Sequence, residues 1–459
     1  MDNVLSHTLQ RNHPMTIPLV RTPKLHQRSS SIQERGDVQV ASIRGYSYLA
    51  RISAGNQILQ VIFDTGSSDL WVISSDCTSA DCDGVAKYKP SSSLNQTDQT
   101  FKLNYLHGSV SGLIGFETVA FGPFQVSSQA LAIANATDGL SLPNIGASGI
   151  LGLSFPNTAA LPSTVGKTLL ENIFAYFDDA HRFFAFKLDR TSAASSLSIG
   201  ELDPAITNST AGFVYSPVYI GPTSAPDYWK LPMHAIVVNG SATFSSFPPS
   251  RVSGSPTPIA VLDTGTTFIL GPSGDVDALW NAVGASRKTA EGQWEVQCSR
   301  AVSVGFILGD DANKKEYVVD PADMSWAGDN LSDGWCTGGI QASNSVNAGD
   351  WILGDTFLRN VYVTHHGATT DKPPLIGLLN LTDASSALQR FQTERGHDPN
   401  TPISIKQIVS PHTRSAPLSP GVVCGMVLVV AFIVGGAIAW LVLVFRGRSQ
   451  RGEAIEYKA

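Results

Sequence analysis

The sequence predicts a mainly β protein built from two related lobes, with a cleft between them. Short apolar runs rich in Val, Ile, Phe and Tyr, separated by Gly, Pro, Asn and Ser, fill residues 38–379 and indicate many short strands. An Asp-Thr-Gly triplet follows an apolar run twice, within 61–68 and within 260–267. Ile-Leu-Gly then follows each triplet at a nearly equal distance, at 150–152 and at 352–354. This matched order predicts two lobes of the same plan.

Composition divides the chain into a folded body and flanking segments. Within the body, residues 165–177 and 275–283 are the best helix candidates. The predicted segments are a basic amino-terminal segment (1–36), a first β lobe (40–215), a second β lobe (216–381), a linker containing Ser, Thr and Pro (382–420), a transmembrane helix (422–445) and a cytosolic tail (446–459).

Charge and cysteine content exclude some classes of protein. The 459 residues are 42% hydrophobic with a net charge of −7, which argues against a disordered chain and against a nucleic-acid-binding surface. Among the five cysteines, Cys424 lies in an apolar run and is expected to be a buried thiol. The other four lack histidines at ligand spacing, so two disulfides are favoured over a zinc site.

Residues 422–445 form an uncharged run that is long enough to cross a bilayer of roughly 30 Å as a helix. A buried core helix is the alternative, but the run is apolar all round and ends at Arg446, Arg448 and Arg451. The polar stretch after it argues against a glycolipid-anchor signal. The basic flank predicts that the tail faces the cytosol.

The compartment follows from the cysteines and from the glycosylation sequons. Paired cysteines, sequons and the basic flank place the body outside the cytosol, at the plasma membrane or in a vacuolar or endosomal lumen. The first 35 residues contain no apolar signal-peptide core. We expect this start to differ from that of the natural precursor, the alternative being a cytosolic body inserted by the carboxy-terminal span alone. The six sequons begin at Asn95, Asn135, Asn208, Asn239, Asn330 and Asn380.

The two triplets suit a pair of catalytic carboxylates. A strand that ends in Asp-Thr-Gly holds a carboxylate on a rigid element, and the glycine permits the tight turn after it. If the lobes bring Asp64 and Asp263 within roughly 3 Å, the two cannot both ionise and they share one proton. Such a pair can activate a water for attack on a peptide carbonyl without a metal or a covalent intermediate.

Over residues 40–380 the chain resembles the pepsin-like aspartic peptidase family. In this resemblance Asp64 and Asp263 match the two catalytic aspartates, Trp71 matches the tryptophan that orients the flap tyrosine, and Tyr105 matches that tyrosine. Ser67 and Thr266 match hydroxyls that support the carboxylates. The full set of matched supporting, flap and cleft residues is Thr65, Gly66, Ser67, Thr264, Gly265, Thr266, Trp71, Tyr105, Gly108 and Ser109.

The resemblance implies a bilobal acid protease fold and a monomeric endopeptidase that acts on proteins or peptides, prefers apolar residues around the cleaved bond, and uses no cofactor. Because pepsin is itself the standard example of a carboxyl pair that shares one proton, the acid pH optimum is also taken from the resemblance. Bridges between Cys77 and Cys82 and between Cys298 and Cys336 are implied in the same way.

Two positions differ from the family pattern. Leu106-His107 stands where the family commonly has Gly followed by Thr or Asp, and Thr364-His365-His366 replaces the usual aromatic-acid ending of a late strand. The first difference is expected to affect the flap and the choice of substrate, and the second to affect local packing.

The basic segment 1–36 resembles a remnant of the family's inhibitory propeptide, with Lys24 as the residue set against the catalytic acids. A merely solvated tail is the alternative. If the segment inhibits, deleting residues 1–35 should raise activity near neutral pH.

Two hypotheses from other classes compete with the peptidase. One is a pepsin-like fold that only binds, which loss of an aspartate would have favoured; both are present. The other is an anchored, glycan-bearing structural protein, which gives no reason for two Asp-Thr-Gly repeats.

Overall fold

The computed structural model describes residues 16–23, 46–190, 194–223, 225–242, 250–327, 334–346 and 348–398. Several predictions fall outside this range: Lys24, the sequon at Asn330, most of the linker, the span 422–445 with Cys424, and the tail. In the part of the chain that is described, no helix is long and apolar enough to cross a membrane.

The first half contributes strands β1 to β12. They are β1 (Thr16–Pro18), β2 (Val20–Pro23), β3 (Tyr46–Ala54), β4 (Gln57–Asp64), β5 (Leu70–Ile73), β6 (Asn95–Asn104), β7 (Ser109–Phe121), β8 (Phe124–Asp138), β9 (Gly149–Gly152), β10 (Phe183–Lys187), β11 (Ser196–Ile199) and β12 (Val214–Pro217). Its helices are α1 (Leu142–Ile145) and α2 (Leu169–Phe174), with single 3-10 turns at Ala80–Cys82 and Pro156–Thr158.

The second half contributes strands β13 to β26. They are β13 (Lys230–Val238), β14 (Ser241–Ala242), β15 (Ile259–Leu262), β16 (Ile269–Gly271), β17 (Ser286–Lys288), β18 (Trp294–Gln297), β19 (Val304–Leu308), β20 (Lys315–Val319), β21 (Ser325–Trp326), β22 (Trp335–Gly338), β23 (Ile340–Ala342), β24 (Trp351–Leu353), β25 (Val361–His366) and β26 (Leu375–Asn380). Its helices are α3 (Ser273–Val283), α4 (Pro321–Met324), α5 (Asp355–Leu358) and α6 (Ala384–Arg395), with a 3-10 turn at Gly221–Thr223.

The two halves repeat one strand arrangement, which confirms the mainly β, two-lobed fold. In the first half β4 runs parallel to β9, and β5 pairs antiparallel with β9. In the second half β15 runs parallel to β24, and β16 pairs antiparallel with β24. The Ile-Leu-Gly segments are therefore the central strands beside each aspartate-bearing strand. The motif spacing that was visible in the sequence corresponds to this shared topology.

A third sheet joins the two halves, so the predicted boundary between residues 215 and 216 does not separate two independent sheets. Its strand order is β1-β11-β10-β25-β26-β12. Strands β25 and β26, from the end of the second half, pair with β10 and β12 of the first half. Phe184 and Phe186 of this sheet belong to the core cluster that also includes Phe63 beside the first aspartate. Side chains of this sheet therefore pack in the same core as the residue that precedes Asp64.

The helix predictions are partly correct. Helix α3 begins two residues before the predicted 275–283 and ends at the same residue. Helix α2 is much shorter than the predicted 165–177. It begins after Thr168, whose side chain forms a capping box with Glu171, and it ends at Phe174. Pro162 and Gly166 precede this cap, and both residue types are poor helix formers.

The predicted linker is wrong for its first residues, because α6 belongs to the folded body. Ala387 and Phe391 of this helix are buried. Beyond it, Arg300 forms an ion pair of 2.8 Å with Asp398, and the side chains of both residues are largely buried. The sequence did not predict that α6 packs on the body, because the helix has a low apolar content and only two of its side chains enter the core.

The solvated-tail interpretation is wrong for residues 16–23. Strand β1 pairs with β11 in the third sheet, and β2 pairs with β3 in the first lobe. Ile17 and Leu19 are buried. These eight residues therefore help to hold the body together, whatever the rest of the segment does.

Deletion of residues 1–23 is expected to lower the free energy of unfolding by about 3 kcal/mol, since two buried aliphatic side chains lose their environment. Chemical denaturation of the full chain and of the deletion variant measures the difference. Deletion of residues 1–15, which spares both strands, is the control. Equal stability of the two truncated proteins would contradict a structural role for β1 and β2.

Candidate active site

The two aspartates lie at the ends of equivalent central strands. Asp64 is the last residue of β4, and Asp263 directly follows β15. The main chain fixes both positions: the Leu153 amide donates to the Asp64 carbonyl at 2.8 Å, and the Asp263 amide donates to the Leu353 carbonyl at 3.2 Å. Burial of the flanking strands leaves each carboxylate on a rigid support.

The hydrogen bonds to the two carboxylates are related by the same two-fold pattern. The Gly66 amide and the Ser67 hydroxyl donate to the two oxygens of Asp64, at 2.8 and 2.5 Å. The Gly265 amide and the Thr266 hydroxyl donate to the two oxygens of Asp263, at 2.8 and 2.6 Å. The predicted supporting hydroxyls are therefore in place on both sides.

The two carboxyl groups lie in direct contact. A Cβ atom added to Gly66 would collide with the Asp263 carboxylate, and one added to Gly265 would collide with that of Asp64. Glycine is required at both positions because the loops approach so closely. Burial, and then the negative charge of Asp263, raise the pKa of the Asp64 carboxyl above its ordinary value. One proton is consequently held between the two groups at pH values where an isolated aspartate is ionised.

Thr65 and Thr264 lock the two loops together. The Thr65 amide donates to the Thr264 hydroxyl at 3.0 Å, and the Thr264 amide donates to the Thr65 hydroxyl at 3.1 Å. Each hydroxyl in turn donates to a carbonyl of the opposite strand, that of Leu262 or Phe63, at 2.9 and 2.7 Å. This reciprocal set fixes the separation of the aspartates.

A hairpin formed by β6 and β7 carries the predicted flap tyrosine. Trp71 Nε1 donates to the Tyr105 hydroxyl at 2.7 Å, as the family resemblance implies. Burial raises the pKa of Tyr105, so its hydroxyl remains protonated. At the turn, the Tyr105 amide donates to the Gly108 carbonyl, and Gly108 has a φ of +84°, which favours glycine. Leu106 and His107 are exposed at its tip, and Ser109 begins the returning strand.

A family model for the eukaryotic aspartyl protease matches residues 47–372. The chain belongs to this family. It is 28% identical to chymosin of Callithrix jacchus over 364 residues, covering 77% of this chain and 87% of the relative. It is 31% identical to embryonic pepsinogen of Gallus gallus over 329 residues (69% and 76%) and 28% identical to pepsin A of Bos taurus over 354 residues (75% and 88%). The protein is thus an aspartic endopeptidase of the pepsin-like type.

Sequence reasoning missed a buried tryptophan that contacts both catalytic loops of the protease. Trp229 Nε1 donates to the Leu153 carbonyl at 2.9 Å, and the Trp229 carbonyl accepts from the Leu262 amide at 2.9 Å. Leu153 bonds to Asp64, and Leu262 directly precedes Asp263. No local motif marks Trp229, because its role depends on contacts between residues that are far apart in sequence.

The protease contains the two predicted disulfides, Cys77–Cys82 and Cys298–Cys336. In the described ranges, no group of three or more His, Cys, Asp or Glu side chains is arranged to hold a metal ion. The sequon asparagines Asn95, Asn135, Asn208 and Asn239 are exposed. Asn380 is half-buried, and its side-chain amide donates to the Thr382 carbonyl at 2.7 Å.

The Cys77–Cys82 loop supports the flap turn of the protease. Asp81 in this loop accepts a hydrogen bond of 2.8 Å from the Leu140 amide. The segment that contains Leu140 packs directly against Gly108, where an added Cβ would collide with the Asp138 carbonyl and with Gly139. The carboxylate of Asp81 therefore fixes the surface on which the flap turn rests.

Asp81→Ala is expected to raise KM about fivefold with a smaller change in kcat, since the flap support loses a hydrogen bond worth roughly 1 kcal/mol. Asp81→Asn keeps an acceptor oxygen and is expected to resemble the unchanged enzyme. Steady-state kinetics on a peptide substrate measures both. Asp83→Ala is the control, because Asp83 is an exposed neighbour that pairs with Lys87 at 3.7 Å. Equal KM values for Asp81→Ala and Asp83→Ala would contradict this role.

Proposed function

We propose that Asp64 and Asp263 hydrolyse peptide bonds by activating one water molecule between them. The observation that carries this proposal is the contact between the buried carboxyl group of Asp64 and the half-buried one of Asp263, within a symmetric set of donors. The ionised member acts as the general base for the water, and the protonated member donates its proton to the carbonyl oxygen of the substrate. Attack of the water gives a tetrahedral intermediate, and return of a proton to the amine releases the two products.

The surrounding hydrogen bonds support this division of roles. Ser67 and Thr266 hold the outer oxygens, so the inner oxygens remain turned towards each other and towards the water. Thr65 and Thr264 keep the pair at a fixed separation through the cycle. We place Tyr105 on a flap that closes over the substrate and excludes water, with Trp71 holding its hydroxyl.

We further propose that the protease acts in an acidic compartment outside the cytosol, as a monomer anchored by residues 422–445. The two disulfides and the four exposed sequon asparagines support an oxidising compartment. The uncharged run and its arginine flank support the anchor. The segment 1–36 remains our candidate for a propeptide remnant, a role in keeping with a relative named embryonic pepsinogen. Proteins or peptides with apolar residues around the cleaved bond are the proposed substrates.

Cleavage of a denatured protein between about pH 3 and 7 tests the peptidase chemistry, because a dyad that must hold one proton loses activity as that proton leaves. Mass spectrometry of the products distinguishes internal cleavage from trimming of the ends. We expect internal cleavage that falls as pH rises towards neutrality and that resists chelators and reagents specific for serine or cysteine nucleophiles. Inhibition by a chelator or a thiol reagent would contradict the proposed mechanism.

A further inference from the structure

A histidine lies in the centre of the sheet that joins the two halves. His365 of β25 is fully buried, with a relative exposure of 0%. Among the described residues, neither of its ring nitrogens has a hydrogen-bond partner. A buried polar group without a partner is costly, and protonation would make the cost larger because it adds a charge and a second N–H donor. The site therefore accommodates the neutral imidazole.

The surroundings of His365 are aromatic or aliphatic on each element packed against it. Its ring is stacked on Trp229, with ring centroids 4.1 Å apart and planes 4° apart. Strand β10 contributes Phe184 and Phe186, whose rings lie at 5.0 and 5.5 Å. Strand β26 places Ile376 opposite it. A tryptophan face attracts a cation, but this attraction is weaker than the loss of hydration of a fully buried charge.

One other titratable group influences His365 among the described residues, namely its neighbour His366. That side chain is half-buried, stacks on Phe183 and bonds to the Thr364 hydroxyl at 3.2 Å. Burial, and then the charge of Lys372, lower the pKa of His366 to about 4. Burial, and then the neighbouring His366, lower the pKa of His365 well below its ordinary range. Both histidines are thus neutral in the folded protein across mildly acidic pH.

The aromatic cluster around His365 contacts both catalytic loops. Trp229, stacked on the imidazole, is hydrogen-bonded to Leu153 and Leu262, the residues next to the two aspartate loops. Phe186, on another side of the imidazole, packs edge-on against Phe63 at 5.3 Å. The Phe63 residue directly precedes Asp64, and its carbonyl accepts from the Thr264 hydroxyl. These contacts link the His365 ring to the residues that set the separation of the aspartates.

We propose that neutral His365 is a positioning residue for the two aspartate loops, and that its protonation releases Trp229 and sets the acid limit of activity. This inference rests on the proposed function of Asp64 and Asp263. The carboxyl pair sets the alkaline limit of activity, whereas His365 in the joining sheet sets the acid limit. An acid protease with this device works in a mildly acidic window and is switched off in strong acid.

Proton linkage gives the direction of the effect on stability. The unfolded or opened chain has histidines of ordinary pKa near 6.5, whereas the folded state resists protonation. Below about pH 6.5 the opened state binds more protons, so the folded state loses stability as pH falls towards the lowered folded pKa values. Above about pH 6.5 neither histidine contributes to the pH dependence of stability. The loss of stability therefore occurs between neutral pH and strong acid.

His365→Phe tests the proposal, because phenylalanine keeps an aromatic ring against Trp229 and cannot be protonated. We expect the acid midpoint of kcat/KM to move about one pH unit lower, with the alkaline limb unchanged and activity at pH 6 within about twofold. The control is His181→Gln, since His181 is an exposed histidine that bonds to Asp178 at the surface. An acid limb that stays in place in His365→Phe, or that moves equally in His181→Gln, would overturn the proposal.

A second measurement does not depend on enzymatic activity. Acid unfolding is followed by circular dichroism in the Asp64→Asn background, which prevents self-digestion, with and without His365→Phe. We expect the unfolding midpoint to fall by about one pH unit when the histidine is replaced. Equal midpoints would overturn the role of His365 even if the dyad is correct. Failure of the dyad would show differently, as cleavage that persists in Asp64→Asn itself.

Discussion

Replacement of either catalytic aspartate by asparagine is expected to lower kcat by about 10⁴-fold, the upper end of the range for general acid–base catalysis. Asparagine has the same shape as aspartate, but it can neither accept a proton from water nor pass one to the substrate. The single oxygen of asparagine still accepts from the Gly66 or Gly265 amide, and its NH2 group donates to the Ser67 or Thr266 hydroxyl, which now accepts instead of donating. The loops therefore retain their geometry. The loss therefore falls on kcat, with KM nearly unchanged.

Single-turnover kinetics on Asp64→Asn, Asp263→Asn and the double variant measures this effect. The double variant is expected to lose little more than each single variant, because the two groups act as a unit. Asp98→Asn is a matched control, since Asp98 is an exposed aspartate in the β6 region of the flap hairpin. Retention of a tenth of the activity by either single variant would contradict catalysis by a shared dyad.

Asp323→Ala is expected to lower the free energy of unfolding by about 3–5 kcal/mol, because it leaves buried positive charge without its partner. Asp323 is 1% exposed and accepts two hydrogen bonds from Arg190, at 3.1 and 2.7 Å. Arg359 lies 2.9 Å away, and its side chain is also buried. Asn360 donates a further bond at 3.1 Å. The carboxylate thus pairs with guanidinium groups from different halves of the chain. Because Arg190 is partly exposed and also pairs with Asp320 at 3.2 Å, the buried charge left by the mutation is that of Arg359.

Urea denaturation in the Asp64→Asn background measures the loss without self-digestion. Asp323→Asn keeps some of the hydrogen bonds but removes the charge, so an intermediate loss is expected. Glu295→Ala is the control. Its ion pair with Arg287 is partly exposed, and such pairs contribute about 0–1 kcal/mol. A loss for Asp323→Ala no greater than that for Glu295→Ala would show that the network around Asp323 is relaxed on mutation.

The local features of the active site were visible in the sequence. Apolar runs that end in Asp-Thr-Gly predicted the two strands with their carboxylates, because strand periodicity and the glycine turn depend on neighbouring residues. The hydroxyls of Ser67 and Thr266 lie three residues from their aspartates, so their bonds are also local. The Trp71–Tyr105 bond and the disulfide pairing came from the family resemblance, since neither follows from spacing alone. The structure contains these contacts.

Other features depend on tertiary contacts that local patterns do not encode. Strands β1 and β2 and helix α6 were taken as tail and linker because each segment buries only two apolar side chains, and burial is decided by the surface they meet. Likewise, His365 looks like a polar residue at the end of a strand, yet the fold encloses it against Trp229. The sequence by itself determined the repeated strands, the paired acids and their hydroxyl donors. The tertiary structure alone decided how closely the acids approach and which distant side chains hold them, because those contacts join residues that are far apart along the chain.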